Sequence, residues 1–348
     1  MGKQLLIIIV YFLWHICDIE AQVRPFEQWG KVAFCQYSQY HPFNIIRWDN
    51  NWELLLALRT PQTMAELKSK GINCTSSQLT LLQIEGLISC NDSQYKTEMP
   101  VLDSLQTTKL RAYSEEMAKH IYIQTKSDFQ ELVTYLKKVE LQDNAFSIVF
   151  SYILDGKIWK QFIAPEKMKP YATWSGCCWA LFKNRSMQCG TNTYDNYCMT
   201  WIDKQPQFLW DVPLQEAFYK PFIKDAVEYK KIKNDSILKL AVGFGFAKPD
   251  GSIRVPLIPQ NDSSFPINVC ADSIVGKITD YFASSSKIVS LQQEYGIEDF
   301  VIFRTILYHE VMWDIVDCLL NDKVISLPNV WKNQREEESY QIFYVVHD

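Results

Sequence analysis

The sequence predicts an α+β protein, and three observations carry that expectation. Apolar residues recur at helical spacing from Trp52 to Ile84 and again from Leu105 to Leu136. After Asn144 the apolar period falls to two, and Asp-Gly pairs at 155–156 and 250–251 supply tight-turn chemistry. Apolar residues make up 47% of the chain and aromatic residues 14%, which is ample material for a core and excludes a disordered chain. The change of period places a boundary near residue 140. The expected organisation is an N-terminal helical domain over 22–100, a helical connector over 101–140, and a C-terminal mixed α/β domain over 141–348 with antiparallel hairpins.

Residues 1–21 read as a signal peptide. Lys3 gives a positive start, Leu5 to Trp14 is unbroken apolar, and Ile19-Glu20-Ala21 is a cleavage site of the usual small-residue kind. The apolar run is about ten residues, roughly half of a membrane span, so no stable span is expected after cleavage. The mature chain is then extracytoplasmic, in a periplasm or secreted. Cys17 leaves a lipid anchor open as an alternative. Cleavage removes Lys3, Asp18 and Glu20, leaving 34 basic against 38 acidic residues. That mildly acidic balance gives no attraction for nucleic acid. Nine cysteines remain, and in an exported chain some are expected to pair, with one left over. The alternative is that most act as small buried hydrophobes.

Residues 22–48 are aromatic and broken by Pro25 and Pro42, and read as an irregular lead-in. Trp52, Leu54, Leu55, Leu56 and Leu58 then form a helical stripe ending before Pro61. Thr63 caps a short helix ended near Gly71, and Thr75 or Ser76 caps a third helix closing at Gly86. Leu87-Ile88-Ser89 begins a strand that returns after a polar turn.

This run, from Leu54 to Ser89, resembles the winged helix-turn-helix domains of bacterial transcription regulators, most specifically in the leucine-rich third helix ending in Glu85-Gly86-Leu87-Ile88. The resemblance implies a fold in which the third helix reads the DNA major groove with basic and amide side chains. Residues 71–95 contain no Lys or Arg, and phosphate contacts provide most of the affinity for DNA. The expectation is a module kept as a shape, for packing or protein contact, with no nucleic-acid partner.

Leu102 to Lys138 reads as helical with an intervening cap at Ser127-Asp128. Phe146–Leu154 and Lys157–Ile163 read as a hairpin about Asp155-Gly156. Ile237–Ala247 and Ser252–Ile258 read as a second hairpin about Pro249-Asp250-Gly251. Helices are expected over Ile274–Phe282 and Glu298–Leu320, a short strand over Val324–Leu327 and a last strand over Gln341–Val346.

Three stretches carry candidate chemistry. Ser175 is read as the cap of a helix carrying Gly176-Cys177-Cys178-Trp179-Ala180, which places a thiol at a helix N-terminus where free N–H groups lower its pKa. The stretch resembles the nucleophile segment of papain-like cysteine peptidases, and Asn329-Val330-Trp331 resembles that family's orienting Asn-x-Trp. The resemblance implies Cys178 as nucleophile, His309 as base and Asn329 as orienter of a thiol hydrolase. Ser175 stands where the family has its first cysteine, and Ala172 where it has its oxyanion-hole glutamine.

On the predicted helix Glu310, Asp314, Asp317 and Asn321 fall on one side. They suit a solvated acidic face, or a divalent cation as the alternative. The aromatic stretch 159–210 is the third candidate. Trp174, Trp179, Tyr194 and Trp201 are expected to form a contact surface for a protein, peptide or glycan. No CxxC pair, histidine cluster or Gly-rich phosphate loop occurs, so neither metal nor cofactor is expected. The leading expectation is an exported binding protein, with the thiol hydrolase as alternative.

Overall fold

The computed structural model describes residues 25–162, 168, 170–186, 189–194, 197–202, 216–328 and 342–346. Residues 1–21, read above as a signal peptide, and Asn329 lie outside these. The architecture is α+β, with mostly helical content and small sheets containing antiparallel hairpins.

In chain order the elements are β1 (Gly30–Tyr37), α1 (Pro42–Arg47), α2 (Asn51–Ala57), α3 (Met64–Ser69), α4 (Ser76–Ile84), β2 (Ile88–Asn91), β3 (Gln94–Thr97), β4 (Val101–Leu102) and α5 (Ser104–Lys138). A helical run, α6 (145–162), follows, then β5 (Trp174–Leu181), β6 (Cys189–Tyr194), β7 (Tyr197–Ile202), α7 (Glu216–Tyr229) and α8 (Asp235–Gly243). The remainder is β8 (Leu257–Pro259), α9 (Pro266–Ser284), α10 (Ser286–Tyr295), α11 (Phe300–Asn321) and β9 (Ile342–Val346). Among the described residues no helix is long and apolar enough to cross a membrane, and no disulfide links two cysteines.

The N-terminal elements follow their local signals. Thr63 and Glu66 form a reciprocal capping box on α3, and the Thr75 hydroxyl accepts from the Gln78 N–H at the start of α4. Asp92 and Ser93 take φ of +50° and +65°, the two left-handed residues of a turn matched to the twist of the β2–β3 hairpin.

Several elements differ from the sequence expectation. Residues 145–162 are helix rather than hairpin, with a π-helical stretch over Ile148–Lys157. An unbroken apolar run does not distinguish a buried strand from a buried helix, and Ile148 to Leu154 are all buried. At Gly156 a Cβ would stand 2.6 Å from the Ser151 carbonyl oxygen, five residues back, so the widened turn leaves no room for a side chain. Residues 235–243 are also helix. The Asn234 side chain caps it by accepting from the Ser236 and Ile237 N–H groups at 3.0 and 3.1 Å, and this local signal outweighs the alternation read beyond it.

Ser175 opens no helix, because β1, read as an irregular lead-in, supplies an eight-residue antiparallel partner that holds 174–181 extended. Ser127-Asp128 interrupts nothing. Helix α5 is continuous, and Asp128 instead accepts from Lys277 and Ser273. Val324–Leu327 forms no strand.

The chain divides into two compact units that are discontinuous in sequence. The first comprises 1–113, 163–186 and 289–307. Its three-stranded sheet has the order β1-β5-β4, with β5 antiparallel to β1 and parallel to β4. One face of β5 sends Trp174, Cys178, Ala180 and Phe182 into a core shared with Leu54, Leu55, Leu67, Leu79 and Leu82 of the three short helices. The second unit comprises 114–162, 187–288 and 308–348. It holds the four-stranded sheet β6-β7-β9-β8, the buried helix α6, and an aromatic core around Phe218, Phe222, Phe246 and Tyr344.

Candidate ligand-binding cleft

The first unit contains a cleft of about 750 Å³, within the size range of ligand sites. Its floor is Gly176, Cys177 and Cys178 of β5 with Trp174. One wall is the end of α4 with the β2–β3 hairpin, and the other is the segment 295–299 leading into α11.

Each wall is fixed by its own chemistry. The Glu85 side chain, 2% exposed, accepts from the Thr173 N–H at 3.2 Å and the Thr173 hydroxyl at 2.9 Å, and the Trp174 indole donates to the Glu85 carbonyl at 3.2 Å. The end of α4 is thereby docked on its own chain. Gly86 follows with φ +68°, and the Tyr171 ring occupies the space a Cβ would take, 1.9 Å away.

Opposite, the Gln292 amide donates to the carbonyls of Ile297 and Glu298 at 3.0 and 2.8 Å. The Asp299 carboxylate caps α11 by accepting from Val301 and Ile302, and the Tyr295 hydroxyl donates to the Gln106 carbonyl. These bonds make 295–299 a fixed wall.

The lining is mixed. Ser89 donates to Glu98 at 2.5 Å, and Lys96 bridges to Glu298 at 3.4 Å in a solvated pair of little energetic weight. Arg59 reaches Asp103 at 3.6 Å and Gln106 at 3.3 Å. Apolar contacts come from Ile84, Leu87, Met99 and Ile297. Cys177 and Cys178 are each 3% exposed. Burial raises both thiol pKa values, with the nearby Cys35 adding to the rise. The cleft offers donors, acceptors and apolar subsites, and its thiols are held protonated.

Of the residues assigned to thiol chemistry, Cys178 lies mid-strand, and no helix N-terminus stands there to stabilise a thiolate. His309 belongs to the second unit. Its Nε2 accepts from the Trp313 indole at 3.3 Å and its Nδ1 lies 3.0 Å from Glu310 Oε1, so both ring nitrogens are engaged. Asn329 is outside the described residues.

The acidic face of α11 is only partly solvated. Glu310 is fully buried, Asp314 accepts from Ser114, and Asp317 and Asn321 are exposed. Among the described residues no group of His, Cys, Asp and Glu is arranged to hold a metal.

Of the aromatic contact surface, Trp159, Trp174 and Trp179 are core residues, since α6 and the central strand β5 are covered on both faces. Trp174 alone of these reaches the cleft. Trp201 is half-buried against Gly190, and Tyr194 ends β6 with its side chain outside the description. The lead-in itself exposes three rings: Tyr37 is 59% exposed, Tyr40 44% and Trp48 39%. Sequence reasoning passed over these in the lead-in, where Pro42 and the polar neighbours of each ring were the available signal. Comparison with known proteins finds no matching family model, curated protein or solved structure.

Proposed function

We propose that this is a binding protein that takes an extended peptide in the cleft of the first unit. The observation that carries the reading is the cleft itself. It is a preformed concavity of about 750 Å³ with fixed walls, both signs of charge and separate apolar subsites. A peptide presents that mixture, whereas a glycan favours a flat exposed aromatic face, and Trp174 shows little of its ring. The three helices and hairpin over 51–97 act on this reading as a winged-helix-like module used for contact. In support, 71–95 carries no basic residue and the end of α4 is occupied by Thr173 and Trp174. On the same reading residues 1–21 act as an export leader, and the partner is a peptide or protein segment met outside the cytoplasm.

A peptide array and an oligosaccharide array, each probed with the mature protein, test this. The expected result is peptide ligands whose affinity, measured by calorimetry, drops at least about tenfold in Ser89→Trp, which fills the cleft from the hairpin. Peptide binding unchanged by that variant, or ligands found only among oligosaccharides, overturns the reading.

A further inference from the structure

One edge of β5 lies against β1 from Trp174 to Leu181, and the Thr173 carbonyl accepts from the Ser38 N–H on that side. Odd-numbered residues of β5 therefore aim their main chain at β1, and even-numbered residues aim theirs at the opposite edge. At that opposite edge the Ala180 and Phe182 N–H groups donate to the Pro100 and Leu102 carbonyls at 3.0 and 2.9 Å. At its other end the Trp174 carbonyl accepts from the Tyr171 N–H at 2.7 Å. Between these two closed ends stands Cys178, on the floor of the cleft.

The gap has a local cause. One rung further along the parallel β4–β5 ladder, the Cys178 carbonyl needs an N–H from residue 100, which is a proline and has none. The Cys178 N–H needs the carbonyl of residue 98. The Glu98 N–H donates to the Leu87 carbonyl at 3.0 Å, so that residue has turned its main chain toward β2. Among the described residues neither main-chain group of Cys178 has a partner on this edge. Leaving enclosed peptide groups unpaired costs about as much as losing their hydrogen bonds, and Cys178 is 3% exposed. A bare strand edge is a template for another strand, and this one opens into the cleft.

We infer that an extended peptide in the cleft adds as a short strand to the free edge of β5, donating one N–H to the Cys178 carbonyl and accepting from the Cys178 N–H. This rests on the peptide reading of the cleft and deepens it. The free stretch runs from Gly176 to Trp179, since Ser175 is bridged to Pro170 and Ala180 to Val101. At roughly 3.3 Å per residue it spans about 13 Å, room for a stretch of about three or four peptide residues. Recognition at this rung is by main chain, so it tolerates many side chains but excludes proline at the donating residue. The residues flanking that donor aim their N–H groups away from β5.

The test takes the tightest peptide from the array and resynthesises it with each amide in turn replaced by an ester, which removes one N–H and little else. Calorimetry with the mature protein should show one position where affinity falls roughly tenfold, with both neighbours close to the parent. In parallel, the protein labelled with 15N-cysteine is titrated with the parent peptide. The Cys178 amide proton should move downfield as it gains an acceptor, while that of Cys177, which faces β1 opposite Phe34, stays in place. A flat ester scan, or a Cys178 amide that does not move, overturns the added strand and leaves peptide binding standing. Absence of any bound peptide overturns both.

Discussion

The Trp159 indole donates to the Asp155 carboxylate at 2.6 Å, inside the second unit at the end of the π-helical turn. Burial is the main influence on this acid and raises its pKa from 3.8 to about 6. The approaching Thr191 hydroxyl and N–H, the indole and the nearby His309 oppose that rise. The Thr191 hydroxyl itself falls outside hydrogen-bonding geometry.

The sign of the pH dependence follows. Between about pH 4 and 6 the folded protein keeps a proton that the unfolded chain has lost, so stability falls as pH rises through that window. A shift of this size corresponds to about 2–3 kcal/mol. Asp155→Asn keeps an acceptor for Trp159 and removes the titration. Denaturant unfolding at several pH values should show the wild-type slope between about pH 4 and 6 flattened in the variant. An identical slope in both proteins would assign the titration elsewhere.

His309 and Glu310 form another polar pair inside that unit. An indole N–H only donates, so the Trp313 bond makes His309 Nε2 an acceptor and places the neutral ring's proton on Nδ1, facing Glu310. Glu310→Ala leaves that N–H without its carboxylate and should cost about 2–3 kcal/mol, whereas Glu310→Gln, which keeps an oxygen, should cost about 1 kcal/mol. Equal losses in the two variants, measured by urea unfolding, would show that the cost is one of packing.

What the sequence made legible was local. Thr63 and Thr75 announced two helix starts, and the leucines between residues 54 and 82 announced the faces those helices bury. Gly86 announced a stop, and all of these stand in the structure. What it hid was decided by distant partners. Nothing within 174–181 says that β1, some 140 residues earlier, will pair with it and turn a thiol at an expected helix end into a mid-strand core residue. The same pairing buries Trp174 and Trp179. The cleft is likewise invisible to periodicity, since its walls come from residues 83–106 and 295–302 and its floor from 174–178.

Gly71 and Gly86 separate backbone strain from crowding. Both have positive φ, +78° and +68°, but a Cβ at Gly71 meets nothing within 4 Å, while one at Gly86 meets the Tyr171 ring at 1.9 Å. Gly71→Ala should cost about 1 kcal/mol from the left-handed backbone alone. Gly86→Ala should cost about 2–4 kcal/mol, because Tyr171 must also move. Tyr171 lines the cleft, so Gly86→Ala should also weaken peptide binding while Gly71→Ala leaves it intact. Similar stability losses in the two variants would show that the ring swings aside at no cost.

Thiol labelling separates the binding protein from the hydrolase. A nucleophilic cysteine reacts as thiolate at neutral pH and below, because something near it lowers its pKa. Around Cys178 the surroundings act the other way, since burial and the neighbouring Cys177 and Cys35 all raise it. Under native conditions iodoacetamide should therefore leave Cys178 unmodified and label Cys35 before it, with the Cys35 rate rising about tenfold per pH unit below its raised pKa of about 11. Denaturant should bring Cys178 to the rate of an ordinary exposed thiol. Rapid alkylation of native Cys178 near about pH 6, read by peptide mass mapping, would instead restore it as the nucleophile.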